Sequence, residues 1–176
     1  MRIKALSWLA VVVAAIVCAM LWPARVQAPG RGPTYIFETE HGSFTVMLCE
    51  DTCPDSAREF ENRAALGYYD GALIARRPGG RLVQLGTGRL TGPAPQCSLT
   101  PEPPAHSLPA HALAWALPRA GGKAGYAFFI TLEDCPDLTS YTMFASVSGG
   151  EDVVNKLRPG DAILSVREQY RRRGRQ

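Results

Sequence analysis

An arginine and a glutamine stand eight residues apart in a part of the chain that is otherwise rich in apolar and turn-forming residues. Arg76 and Gln84 each lie in a β-type apolar run, and a Pro-Gly-Gly turn at residues 78–80 separates the two runs. A guanidinium stays charged and holds a rigid fork of donors, and a glutamine amide can fix a backbone carbonyl. The two side chains could therefore make directed hydrogen bonds to a ligand. The alternative is that neither residue has a functional role. Arg76 would then be a surface arginine like its neighbours Arg77 and Arg81, and Gln84 a structural hydrogen-bonding residue.

Other residue types that could do chemistry are the cysteines. Cys18 lies in an apolar N-terminal run, and four more follow it: Cys49, Cys53, Cys97 and Cys135. An even number in an oxidising compartment predicts two disulfides, with three possible connectivities. A zinc site is disfavoured because Cys49 and Cys53 have no second close pair and the three histidines show no ligand spacing. We therefore expect no metal and no cofactor.

The N-terminus contains an apolar run that is separate from the rest of the chain. Residues 5–22 are eighteen residues without a charge, which as a helix would span about 27 Å of a ~30 Å hydrocarbon core. Arg2 and Lys4 precede this run, so we expect the short N-terminus to stay cytoplasmic. We predict a signal anchor at residues 1–23, with a linker at residues 24–33. A cleaved signal peptide is the alternative. In both cases the remaining chain lies outside the cytosol, on the extracytoplasmic or luminal side.

The charge of the chain is uneven. The net charge is +3, and the last six residues contain four arginines. Without this basic tail, placed at residues 169–176, the rest is nearly neutral, so a basic face for nucleic acid is not indicated. We expect a monomer that contacts the membrane only through its N-terminal helix.

Between linker and tail, residues 34–168 predict one mainly β domain. Strands are predicted at residues 35–39, 43–48, 73–76, 81–85, 112–117, 127–131, 142–147 and 162–166. A helix is predicted to begin at Pro54 and to end at Gly67, and a second one covers residues 151–157. Residues 86–109 contain many prolines and predict a long surface loop. Many short strands with two helices are typical of a β-barrel or a sandwich.

The order and spacing of these elements resemble the cyclophilin family of peptidyl-prolyl cis-trans isomerases. The motifs that carry the resemblance are Thr39 with Gly42, the helix start at residues 54–60, Gly67-Tyr68-Tyr69-Asp70-Gly71, Phe128-Phe129-Ile130, Phe144, and Glu151-Asp152-Val153-Val154. The resemblance implies an eight-stranded antiparallel barrel capped by two helices. It also implies a proline-binding groove on the outside of that barrel.

The resemblance assigns roles to five residues, most firmly over residues 69–84, where the spacing has no gap. Arg76 falls on the catalytic arginine and Gln84 on the groove glutamine. Leu82 falls on an apolar pocket residue, Phe129 on the phenylalanine of the pocket floor, and Tyr141 near a position that is often His or Tyr. The partners implied are proline-containing polypeptides.

Several positions depart from the family pattern. Ala75 replaces a His beside the arginine, Arg81 a pocket-lining Phe, and Ala127 the Gln before the two phenylalanines. Leu117-Pro118 stand where an Asn is expected, and the Trp of the rim is missing, with Pro136-Asp137 in that region. The sequence therefore predicts an isomerase of exported or luminal proteins, with a catalytically weakened peptide-binding module or a membrane-tethered scaffold as alternatives.

Overall fold

The computed structural model describes residues 32–85, 102, 105, 107–116 and 127–169. Eight strands form one antiparallel sheet: β1 (Thr34–Thr39), β2 (Gly42–Leu48), β3 (Ile74–Arg76), β4 (Leu82–Leu85), β5 (Ala112–Trp115), β6 (Phe128–Thr131), β7 (Met143–Gly149) and β8 (Ile163–Glu168). Two helices accompany them, α1 (Pro54–Ala65) and α2 (Glu151–Lys156). Each of these elements overlaps the one predicted from the sequence.

The sheet curls until its first and last strands meet. The strand order is β3-β4-β6-β5-β7-β2-β1-β8. Beyond the ladder, Leu73 forms a bridge with Ala162, and the Ile74 amide donates to the Asp161 carbonyl at 2.9 Å. These bonds join the start of β3 to the start of β8, which leaves few unpaired edge groups. The predicted mainly β barrel with two helices is therefore confirmed, as a nearly closed barrel.

Aromatic rings fill the interior of the barrel. Phe60 of α1 lies at their centre, and its ring centroid is 5.1 Å from that of Tyr35, 5.2 Å from Tyr69 and 5.7 Å from Phe144. Phe128 of β6 also points inward and is fully buried. Because successive side chains of a strand point to opposite faces, its neighbour Phe129 must face outward. Alternation of side chains along β6 thus places one phenylalanine in the core and the next on the outer face of the barrel.

Helix α1 is fixed at both ends by different means. Pro54 takes the first helical position, as predicted, where its missing N–H costs no hydrogen bond. The side chain of Glu102 accepts the next two orphan amides, from Asp55 at 2.8 Å and Ser56 at 3.0 Å. Gly67 has φ of 67°, the left-handed conformation that follows many helix ends. A residue distant in sequence therefore supplies the cap that no local side chain provides.

The prediction of two disulfides is wrong. Cys53 and Cys135 are both free thiols, and no disulfide joins Cys49 to either of them; Cys97 lies outside the described residues. Cys49 and Cys53 are joined instead by a backbone turn, in which the Cys53 amide donates to the Cys49 carbonyl at 2.9 Å. Their side chains then separate, because Cys53 packs with the barrel interior and Cys49 with an outer apolar cluster.

Burial should make two of these thiols slow to react. It raises the pKa of both Cys53 and Cys135, which lowers the fraction of reactive thiolate at neutral pH. We expect both to label with a maleimide only slowly in the native protein at pH 7, and rapidly once the chain is unfolded. Mass spectrometry of peptides after timed labelling measures this. Native labelling of both at the rate of a free peptide thiol would contradict the expectation.

The predicted signal anchor at residues 1–23 lies outside the described residues, and so do most of the linker and of the basic tail. Among the residues that the structure describes, no helix is long and apolar enough to cross a membrane.

Candidate functional site

A continuous row of residues crosses five neighbouring strands of the barrel. Register pairs Arg76 of β3 with Gln84 of β4, and Gln84 with Phe129 of β6. The row continues from Phe129 to Ala114 of β5, and from there to Met143 of β7. Directly opposed residues share one face of an antiparallel sheet and are close neighbours. The barrel thus brings the two predicted catalytic positions next to the predicted pocket floor.

Apolar side chains on the outer face form a second cluster, separate from the barrel interior. Its buried members include Ala112, Ala114, Phe129 and Met143, and half-buried Leu82, Ala116, Leu138 and Tyr141 pack against them. The rings of Phe129 and Tyr141 meet edge to face, with centroids 5.0 Å apart. We call these residues the groove cluster. It unites the three side chains predicted to bind substrate, Leu82, Phe129 and Tyr141, in a surface suited to an apolar ring.

The backbone around Arg76 is irregular. Ile74 pairs with Leu85 and Arg76 with Gln84, so that Ala75 is an extra residue in β3, a β-bulge. Bulges bend a strand, change the direction of its side chains, and are common next to active sites. The turn that follows uses Gly79 and Gly80 at φ of 60° and 74°, where other residues would be strained. The bulge at Ala75 and the glycine turn together fix the register in which Arg76 pairs with Gln84.

The structure separates the roles of the neighbouring arginines. Arg77 donates to the carbonyls of Asn155 at 3.2 Å and Leu157 at 3.1 Å, at the C-terminal end of α2. These carbonyls lack helical partners and carry the negative end of the helix dipole, so a cation there stabilises the helix. Arg77 is therefore a structural residue.

Arg81 has a third role, at the border of the groove cluster. Its guanidinium binds Asp137 through two hydrogen bonds, of 2.6 Å and 3.1 Å, and Glu133 through one of 2.8 Å. The hydrogen bonds from Arg81 lower the pKa of Asp137, and those from Asp137 and Glu133 raise the pKa of Arg81. Arg81, which stands where the family pattern has a Phe, and Asp137, in the region where the rim Trp is missing, are thus partners of each other. The sequence noted both departures but did not predict this contact.

Besides its three alanines, the groove cluster contains two side chains that the sequence did not predict. Met143 ends the row at β7, and Leu138 packs against the cluster from the connection between β6 and β7. A signal for Met143 lies in the predicted strand at residues 142–147, because Phe144 packs in the interior and its strand neighbour must then face outward. No comparable pattern exists for Leu138, which lies outside the regular strands.

A cavity of about 460 Å³ lies elsewhere, between the end of α1 and β8, where Leu66 and Arg167 contribute to its lining. It contains none of the predicted site residues. Within the described ranges, no group of three or more His, Cys, Asp or Glu side chains is arranged to hold a metal ion.

Comparison with known proteins gives a consistent result. The family model described as cyclophilin type peptidyl-prolyl cis-trans isomerase matches residues 34–171. A peptidyl-prolyl cis-trans isomerase-like 1 from Aspergillus fumigatus is 31% identical over 147 residues, which cover 75% of this chain and 91% of that protein. A peptidyl-prolyl cis-trans isomerase from Synechococcus elongatus is 31% identical over 140 residues, covering 75% and 93%.

Solved structures agree on the fold. A cyclophilin type isomerase from Cryptosporidium parvum superimposes with a TM-score of 0.63 at 19% identity, covering 79% of this chain and 98% of that one. The same protein, crystallised in the presence of the dipeptide Ala-Pro, gives a TM-score of 0.61 at 19% identity, covering 78% and 99%. At such identity the likeness concerns the architecture alone.

Proposed function

Because the chain belongs to the cyclophilin type peptidyl-prolyl cis-trans isomerase family, we propose that its groove cluster binds proline and that Arg76 assists rotation of the prolyl amide. The family and the enzyme class agree with those predicted from the sequence. The observation that carries the mechanism is the register row, which sets Arg76 beside Gln84 and Gln84 beside Phe129.

The chemistry requires only that the twisted amide be bound better than the planar one. Amide resonance holds the X–Pro bond planar, and its rotation has an activation energy of about 20 kcal/mol. When the bond twists, the proline nitrogen regains its lone pair and becomes a hydrogen-bond acceptor. A guanidinium that donates to this nitrogen stabilises the transition state and has nothing comparable to bind in the ground state. Arg76 supplies this donor.

The remaining groove residues hold the peptide in place during rotation. Leu82 and Tyr141, both half-buried, provide an apolar surface for the pyrrolidine ring together with Phe129, whose ring packs edge to face against Tyr141. Gln84 lies between this surface and Arg76, where its amide can bind a neighbouring peptide carbonyl. With the ring fixed on one side of the bond, rotation is confined to the other side. Each ~1.4 kcal/mol of differential binding accelerates the reaction about tenfold.

An isomerisation assay tests this function. The full chain in mild detergent is added to a short peptide with one Ala–Pro bond, and exchange between the cis and trans forms is followed by NMR. We expect exchange well above the rate in buffer, proportional to protein concentration. A rate equal to that of buffer would reject catalysis.

A binding module without turnover is the second candidate. It is favoured by Arg81, which is 40% exposed and bound to carboxylates where the family pattern has an apolar Phe. Less apolar area is then available to a proline ring. Binding of the Ala–Pro peptide to the groove residues, without accelerated exchange, would select this candidate over the enzyme.

We also propose that the domain works outside the cytosol, tethered by residues 1–23. Support comes from the eighteen uncharged residues near the N-terminus and the preceding basic residues, Arg2 and Lys4. Expression of the full chain in a bacterial host, followed by protease treatment of intact spheroplasts, tests the topology. Protection of the domain from the protease would contradict it.

A further inference from the structure

Residues 132–141 connect β6 to β7 and supply one side of the groove cluster. We call them the wall segment. Leu138 and Tyr141 of this segment pack against the cluster, and the Tyr141 ring meets Phe129 edge to face. The geometry of the pocket therefore depends on where the wall segment is held. That this pocket receives a proline ring is the function proposed above, and the role of the wall segment rests on it.

Backbone contacts fix the two ends of the wall segment. The Leu132 amide donates to the Arg81 carbonyl at 2.8 Å, and Cys135 exchanges hydrogen bonds with Leu108. At the far end, the Tyr141 carbonyl accepts the Ala105 amide at 3.0 Å. Between Cys135 and Tyr141 the segment is mostly exposed and runs outside any strand.

Arg81 holds this exposed middle part. Its bidentate bond to Asp137 attaches the residue directly before Leu138, and its bond to Glu133 attaches the start of the segment. In the part of the chain that the structure describes, no other side chain from outside the segment bonds residues 136–140. A two-bond arginine–carboxylate pair also fixes orientation, because both groups are planar.

We propose that Arg81 is a positioning residue for the isomerase site, which sets Leu138 and Tyr141 against Phe129 by clamping Asp137. It acts on the peptide through the wall segment and need not touch it. The clamp thus replaces the apolar rim that the family pattern has at these two positions. Its consequence is that peptide binding by this chain depends on an ion pair and is weakened by salt, since salt screens exposed charges.

The test uses the full chain and a matched pair of variants. Arg81→Gln removes the clamp. Arg167→Gln removes a similar bidentate pair elsewhere on the barrel, where Arg167 of β8 binds Asp70 at 2.6 Å and 2.9 Å. Both variants lose one bidentate arginine–aspartate pair, and Arg81→Gln also loses the exposed pair with Glu133, so both should lower the melting temperature only slightly. A difference in KM between the two variants therefore reports on the position of the lost ion pair beside the groove.

For Arg81→Gln we expect KM for an Ala–Pro peptide to rise about two- to fivefold, the range for an exposed ion pair, with kcat changed by less than twofold. Arg167→Gln should leave KM unchanged. Adding 0.5 M NaCl should raise KM of the wild type but not that of Arg81→Gln. The exchange Arg81→Asp with Asp137→Arg restores the pair in reverse and should return KM towards the wild-type value.

Equal KM for wild type and Arg81→Gln, or an equal rise in both single variants, would overturn the clamp proposal while leaving isomerase activity established. If the wild type accelerates no exchange, the proposed activity fails, and the same variants are compared by the Kd of the peptide. A two- to fivefold rise of Kd in Arg81→Gln alone still supports the clamp. Absence of any peptide binding by the wild type overturns both proposals.

Discussion

Replacing Arg76 with alanine is expected to lower kcat/KM for X–Pro isomerisation by about 100-fold or more. Removing one preorganised donor from an active site typically costs a factor of about 10² to 10³ in rate. No other group of the register row is cationic, since its further members are Gln84, Phe129, Ala114 and Met143. Most of the loss should fall on kcat, because the donor acts only on the twisted amide. Progress curves at several peptide concentrations separate kcat from KM.

Arg77→Ala is the matched control for this experiment. It removes an arginine adjacent in sequence, whose guanidinium binds the carbonyls of Asn155 and Leu157 rather than the groove. Arg158 donates to the same two carbonyls at 3.0 Å each, so Arg77→Ala removes only part of this C-terminal cap. The variant should lower the melting temperature slightly and leave kcat/KM within about twofold at temperatures well below melting. If Arg76→Ala kept wild-type activity, or if Arg77→Ala lost as much, the assignment of Arg76 would be abandoned. Arg76→Lys adds a finer test, because a single ammonium lacks the rigid fork.

The sequence sufficed for the parts of the fold that local patterns encode. Alternation of apolar and polar residues located the strands, and the resemblance assigned Phe129 to the pocket floor, in agreement with its place in the groove cluster while Phe128 lies in the interior. Pro54 and Gly67 marked the two ends of α1 because their backbone preferences are local. The resemblance then ordered these elements into a barrel, and the observed register brought the predicted groove residues together.

What the sequence missed depends on contacts between distant segments. Glu102 caps α1 from 46 residues away, and Arg81 binds Asp137 across 56 residues. Neither pairing leaves a periodic signal, because charged side chains at such separations have many equivalent partners. The disulfide prediction failed for a related reason: the count of cysteines is a property of composition, whereas pairing requires two side chains that meet in a specific geometry. Cys53 packs with the barrel interior, and Cys49 and Cys135, although both belong to the outer cluster, are not joined by a disulfide.

The barrel core and the groove cluster pack as two separate sets of residues, and Phe60 tests whether they are also independent in energy. Its ring contacts five other rings of the interior, those of Tyr35, Phe37, Tyr69, Phe128 and Phe144, and it is fully buried. It belongs to the interior cluster and not to the groove cluster. A change at Phe60 should therefore act on stability and leave the chemistry of the outer face intact.

Phe60→Ala is expected to lower the free energy of unfolding by about 3–5 kcal/mol, which combines lost burial with the cavity left behind. Since small domains have a free energy of unfolding of only about 5–15 kcal/mol in total, this loss brings the variant near the limit of folding, and Phe60→Leu provides a milder second variant. Urea unfolding followed by the fluorescence of Trp115, which stacks on Phe144 at 4.5 Å, measures both. The folded fraction should retain wild-type kcat/KM. A loss of kcat/KM in fully folded Phe60→Leu, without a matching loss of stability, would mean that core and groove are coupled through the sheet.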